Sequence, residues 1–259
     1  MNIDVPSTTE TGQAKTATHS PNRFDQAAAL ILVFVGLAGL AYLAARLAFG
    51  FAGSVSDTGS IASWMIDACL LLAFGLQHSG MARDGWKRQL PPHWQRAVYV
   101  GASGLASVLL ACGWRPLPGE TWWALSDPWG VVLTACRGIA LMGMTVCVLR
   151  MDLIAFLGLR PFWPKRTNAD ETLDVLGPYR FVRHPLMAFF LAFLWARPMV
   201  SSTYGWLAVG ITAYVLLGIY LEEQGLRRQF GEAYEAYRRR TPMLLPWKGV
   251  VQRSRASKS

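Results

Sequence analysis

Gly177-Pro178-Tyr179-Arg180-Phe181-Val182-Arg183-His184-Pro185 is a basic, aromatic turn that runs directly into an apolar segment. A later apolar segment, 203–221, ends in Glu222-Glu223. If both segments cross a bilayer, Arg183, His184, Glu222 and Glu223 meet at one membrane face. The fold and the chemistry of the chain turn on that meeting.

Hydrophobic residues make up 53% of the chain and charged residues 16%, and the apolar ones fall in long blocks rather than in an amphipathic pattern. That pattern predicts an integral membrane protein rather than a soluble one. The expected fold class is an all-α polytopic membrane helical bundle. Apolar segments lie at 25–49, 61–79, 96–114, 128–149, 185–200 and 203–221, each near the roughly 20 residues that a spanning helix needs. About six transmembrane helices are therefore expected. The fifth is the weakest, short and carrying Arg197-Pro198, and fits a shallow or kinked helix in a tight hairpin with the sixth. Residues 1–24, rich in Thr, Ser and Pro, read as a flexible tail. The first apolar block is too long for a secretory signal and lacks a cleavage site, so it is expected to stay. Residues 25–247 form the membrane domain, and 248–259 a basic tail.

The formal charge of +9 invites a nucleic-acid partner, but the basic residues sit beside apolar blocks, where topology alone places them. No nucleic acid is expected. Arg83, Lys87, Arg88 and Arg96 lie between the second and third segments. Arg150, Arg160, Lys165, Arg166, Arg180 and Arg183 lie between the fourth and fifth. Further Arg and Lys crowd the C-terminal end, while the opposite connections offer only Arg46, Arg115 and Arg197. The positive-inside rule puts both termini in the cytoplasm. It also puts His78, His184 and Glu222-Glu223 at cytoplasmic helix ends. Cys69, Cys112, Cys136 and Cys147 fall within apolar segments without a C-x-x-C pair, and are expected as reduced packing residues with no zinc site.

Beyond Glu223, Leu226, Phe230, Tyr234 and Tyr237 recur at helical spacing among charges. This predicts a surface-lying amphipathic helix, either an anchor or a lid. Pro242 and Pro246 end it. Pro185 suits the first turn of a helix, where free N–H groups beside Arg183 and His184 would suit an anion; the plain alternative is a basic interfacial anchor. Glu222 and Glu223 suit a cationic group such as an ammonium, or an i,i+4 pair with Arg227. Asp67 and Arg137 are intramembrane charges read at similar depth. An Asp67–Arg137 pair between the second and fourth segments is expected.

Gly177-Pro-Tyr-Arg-Phe-Val-Arg-His-Pro185, Glu222-Glu223-x-x-Leu226-x-x-x-Phe230-Gly231-x-x-Tyr234-x-x-Tyr237, Pro242 and Pro246 together resemble the isoprenylcysteine carboxyl methyltransferase and phospholipid methyltransferase superfamily. Phe74-Gly-Leu-Gln-His78-Ser-Gly-Met-Ala-Arg83, Trp114-Arg-Pro116, Asp152-Leu153, Gly158-Leu-Arg160 and Thr241-Pro-Met-Leu-Leu-Pro246 are similar to its bacterial methanethiol S-methyltransferase branch, which makes dimethyl sulfide. One position departs: Met187 stands where the family commonly has tyrosine, two residues after the proline.

The resemblance implies a cytoplasmic-face S-adenosylmethionine site in a bacterial inner-membrane enzyme. Arg183, His184 and Pro185 would face the carboxylate or adenine end, Glu222 or Glu223 the ammonium, and Tyr179 or Tyr234 the adenine or sulfonium. The acceptor would be a small thiol, deprotonated because the thiolate is the nucleophile. A nearby cation could lower its pKa, or His78 or His184 could take the proton. Catalytic roles are thus expected for Arg183, His184 and His78. Three alternatives stay open, the first a non-catalytic membrane subunit that keeps the fold, which Met187 favours. His78 and His184 could be haem ligands, since Gln77-His78-Ser79 is similar to an element of 15-cis-zeta-carotene isomerase. The acceptor could also be a lipid or prenylcysteine carboxylate. Oligomeric state is not legible.

Overall fold

The computed structural model describes residues 21–50, 60–162 and 175–246. The expected tail through residue 20, Lys165, Arg166 and the basic tail 248–259 lie outside the described residues. All six apolar segments form helices. Five are long and apolar enough to cross a membrane: α1 (Arg23–Phe49), α2 (Ile61–Met81), α4 (Pro92–Gly113), α5 (Trp129–Leu149) and α8 (Ser202–Arg240). The protein is an all-α integral membrane bundle. Short helices α3 (Asp84–Lys87) and α6 (Leu153–Phe156) sit in the connections, and α7 (Pro185–Trp195) is the shorter apolar helix.

Local chemistry sets the boundaries. α1 starts two residues ahead of the expected span because Asn22 and Asp25 form a reciprocal capping box. α7 has 11 residues, about 16 Å of rise, against a hydrocarbon core of about 30 Å. It cannot span alone. The helix ends ahead of Arg197-Pro198 because Pro198 disfavours the helical conformation at Arg197. The chain then forms β2 (Met199–Ser201), which pairs antiparallel with β1 (Thr121–Ala124). α7 and α8 thus remain a tight pair, and their short connection is the strand that joins β1 in a ribbon. Non-helical backbone is tolerated near membrane depth where protein covers it, and Val200 and Ser201 are fully buried.

α8 differs most from expectation. It runs unbroken through Glu222-Glu223 to Gly231, whose φ of 52° interrupts it. The surface arm is residues 232–240. Leu226 and Phe230 belong to the extension of the span, and Tyr234 and Tyr237 to the arm. The switch falls at Gly231 because only glycine adopts its φ/ψ readily; a Cβ there would meet no neighbour, so the requirement is conformational.

α1 packs on α4 through Gly36, Gly39 and Gly104. A Cβ on Gly39 or Gly104 would run into the facing backbone, so these glycines allow close helix approach. A core of Leu43, Leu110, Trp114, Phe193, Tyr204 and Leu207 joins the helices. Outward faces are apolar, with residues such as Phe34, Leu72, Leu109 and Leu141 exposed, as lipid contact requires. Three of the cysteines, Cys69, Cys112 and Cys136, also lie exposed on helix faces; Cys147 alone is packed as expected, and all four are free.

The expected Asp67–Arg137 pair does not form. Asp67 Oδ1 accepts from the Arg115 N–H at 2.9 Å. Arg137 instead donates to the carbonyls of Ala48 at 3.1 Å and Leu47 at 2.7 Å. Arg197 donates to the same Leu47 carbonyl. The last carbonyls of α1 lack intrahelical partners and carry partial negative charge, so they draw two guanidinium groups. Phe193 and Tyr204 rings cover the two guanidinium carbons at 4.4 and 4.2 Å.

Candidate functional site

The site is assembled where the turn before α7 meets α8 and its arm. Gly177 opens the turn at φ +59°, and a Cβ there would lie 2.8 Å from the Arg150 guanidinium carbon. A 3-10 turn follows over Gly177–Arg180. Pro185 starts α7 and is itself buried, so it shapes the helix start and presents no surface to a ligand. The N–H groups of Arg183 and His184 donate to the carbonyls of Pro242 at 2.8 Å and Met243 at 3.1 Å. These two bonds tie the residues just ahead of the helix start to the chain that follows α8.

The side chains of this turn reach α8. Arg183 Nε donates to Glu223 Oε1 at 2.7 Å, and Nη2 lies 2.6 Å from the same oxygen. Its Nη1 donates to the Thr241 carbonyl at 2.6 Å. His184 Nε2 lies 3.2 Å from Glu223 Oε1, and Nδ1 lies 3.5 Å from Glu222 Oε2. Arg238 Nε approaches Glu223 Oε2 at 3.7 Å. Burial alone would raise the Glu223 carboxyl, but the Arg183 hydrogen bond and charge, with His184, hold it below the ordinary value. Burial, then the Glu223 charge, push the Tyr234 phenol up to about 12.

The two glutamates are thus unlike. The Glu223 side chain is 10% exposed and is neutralised by its neighbours, whereas that of Glu222 is 53% exposed and touches only the edge of the cluster. Tyr234 is 1% exposed with its ring edge-on to Tyr237 at 6.1 Å, so no ring face is open for stacking. Tyr179 is half-buried, and its carbonyl accepts from the Tyr237 hydroxyl at 2.6 Å.

The chain is 32% identical over 226 residues to methanethiol S-methyltransferase of Mycobacterium tuberculosis, covering 80% of this chain and 93% of that one. It is 32% identical over 242 residues to methanethiol S-methyltransferase of a Pseudomonas species, covering 83% and 92%. The chain belongs to the methanethiol S-methyltransferase family. Nurim of Rattus norvegicus is also similar, 29% identical over 192 residues, 69% of this chain and 73% of that one. No family model matches the chain. No solved structure matches it.

Within this family member, Arg183, His184, Glu222, Glu223 and Tyr234 come together, with Tyr179 tied in by its carbonyl. His78 does not join them. Its Nε2 lies 2.8 Å from the Tyr99 hydroxyl and its Nδ1 3.2 Å from the Ser103 hydroxyl. Its ring stacks on Phe74 at 5.6 Å. On α8 it faces Tyr214, about 12 Å of helix rise before Glu222. His78 and His184 thus stand in separate clusters, one against Tyr99 and Ser103 and the other against Glu222 and Glu223, rather than facing each other as the two axial ligands of one haem. Met187 packs against the core.

Arg238, Tyr237 and Thr241 complete the cluster, and the sequence pattern does not mark them as site residues. Arg238 reads as part of a charged helix face. The break at Gly231 resets the helical phase, so spacing counted through it misplaces the arm. Thr241 contributes through its carbonyl, which leaves no side-chain signature.

Proposed function

We propose that the protein is a membrane methyltransferase that carries a methyl group from S-adenosylmethionine to methanethiol, yielding dimethyl sulfide. The observation that carries this is the convergence of Arg183-His184 with Glu222-Glu223 in a chain of this family. The donor would supply an activated methyl on a sulfonium. The site fits it at one end in particular, where the exposed Glu222 carboxylate beside His184 suits an ammonium. Arg183 and Glu223 act as positioning residues: their mutual charge pair fixes His184 and anchors the arm. His184 is the nearest group to hold a thiol proton. Tyr179, at the open turn, is the aromatic residue available to the adenine or the sulfonium. His78 ties α2 to α4 and braces that side of the bundle.

The site lies at the cytoplasmic face of a bacterial inner membrane, with both termini inside. The basic connections on that side support this orientation. Residues 25–247 act as one domain.

Calorimetry of S-adenosylmethionine on detergent-purified protein tests the proposal, with His184→Ala and Glu222→Gln alongside. Saturable binding is expected, weakened about tenfold or more by either change, since a charge-assisted contact is lost. Dimethyl sulfide in the headspace over methanethiol then identifies the product. Folded wild type that binds no donor would overturn the proposal.

A further inference from the structure

An apolar cleft of about 400 Å³ lies between α7 and the chain after α8, lined by Ala188, Leu191, Ala192, Met243, Leu244 and Leu245. Ala188, Leu191 and Ala192 fall at i, i+3 and i+4 and form one stripe of α7. Both walls start at His184. The Ala188 N–H donates to the His184 carbonyl at 2.9 Å, and the His184 N–H donates to the Met243 carbonyl at 3.1 Å. The inner end of the cleft therefore adjoins the charged cluster. Leu245, 66% exposed, marks its outer side.

We propose that this cleft is the acceptor site and that it takes alkyl thiols several carbons long, not methanethiol alone. The proposal rests on the methyltransferase function argued above. Clefts of about 300–1,000 Å³ are scaled to ligands larger than a one-carbon thiol. No lining side chain offers a hydrogen bond, so the ligand's tail is apolar. Two of the α7 side chains that line the cleft are alanines, and that small size leaves the space. Among the described residues, the titratable group bonded to both walls is His184, and a thiol must sit at that end to lose its proton. There the S–H proton passes to His184 and the thiolate sulfur forms a bond to the methyl carbon. The methyl–sulfonium bond of the donor breaks, and its electron pair stays on the donor sulfur as a neutral thioether.

The test measures kcat/KM for methanethiol, ethanethiol and 1-butanethiol with full-length protein in detergent. Wild type, Ala192→Phe and Leu245→Ala are compared, with S-adenosylmethionine affinity measured by calorimetry on each. In wild type, kcat/KM is expected to rise about fourfold per added methylene, the value of burying each one. Ala192→Phe should lower the butanethiol-to-methanethiol ratio about tenfold with donor affinity unchanged. Leu245→Ala should move the ratio the other way, and decides the matter alone if Ala192→Phe does not fold. An unchanged ratio in a folded variant that still binds donor and methylates methanethiol overturns the acceptor cleft and leaves the methyltransferase standing; a cleft filled by a lipid tail would give that result. No transfer to any thiol by wild type overturns both.

Discussion

Glu222 and Glu223 are adjacent in sequence and opposite in circumstance. Successive residues on a helix point about 100° apart, so only one can face the turn that carries Arg183. Glu223 does, and it lies buried against Arg183 and His184. Glu223→Gln leaves the Arg183 charge without its partner, and should cost about 3 kcal/mol of stability, read from thermal or denaturant unfolding in detergent. Glu222→Gln should leave that unfolding unchanged while weakening donor binding. Equal stability losses at the two positions would contradict the assignment. The Glu223 carboxyl also predicts a pH dependence. Its folded pKa is held below the unfolded one, so its stabilisation is complete above the ordinary value of about 4.5. It is lost as pH falls from there through the folded value. Wild type should therefore lose stability over that acidic window more steeply than Glu223→Gln. Parallel pH curves would show that the pair contributes nothing. The motif marks both glutamates, but only the helix phase separates them.

At the scale of elements, the hinge at Gly231 matters most. It turns the last part of α8 back so that Arg238 approaches Glu223 and Tyr237 reaches Tyr179. Gly231→Ala forces an L-residue into that conformation and should cost about 1–3 kcal/mol. Because a Cβ there meets no atom, the cost is backbone strain rather than a clash. Donor affinity should fall with it, since the arm holds the turn at 177–183 through Tyr237 and Arg238. Unaltered melting and affinity would mean that the arm is not held by this geometry. The apolar spans were legible as elements because lipid selects long unbroken apolar runs. The arm was legible only as an amphipathic pattern, and its start was misplaced, because charge spacing carries no record of a left-handed residue. Arg197-Pro198 marks α7 as the weak span, and the proline sets where it ends.

At the scale of the molecule, the charged residues within the helices find partners that linear depth did not foretell. Asp67 and Arg137 serve separate junctions: Asp67 holds the turn after α4, and Arg137 shares the end of α1 with Arg197. A double-mutant cycle of Asp67→Asn and Arg137→Gln should therefore show coupling no larger than about 0.5 kcal/mol. Coupling well above that would restore the direct pair. The error had a physical source. Counting residues along straight, parallel helices assumes that their ends lie level, whereas α1 ends beside the middle of α5. Its unsatisfied carbonyls therefore lie within reach of the Arg137 guanidinium, while the Asp67 carboxylate meets the Arg115 N–H instead.

By itself the sequence determined that the chain enters a membrane, which segments become helices, and which motifs face one another across the bundle. Apolar length, basic flanks and the spacing of Arg183-His184-Pro185 and Glu222-Glu223 are local quantities, and local quantities are written residue by residue. Only the tertiary structure decided which glutamate is buried, that Tyr234 is closed off, that His78 stands apart, and that an apolar cleft opens beside His184. Those facts depend on helix phase, on one glycine's backbone angles, and on where non-adjacent chain ends meet. None of these is set by any single stretch of the chain.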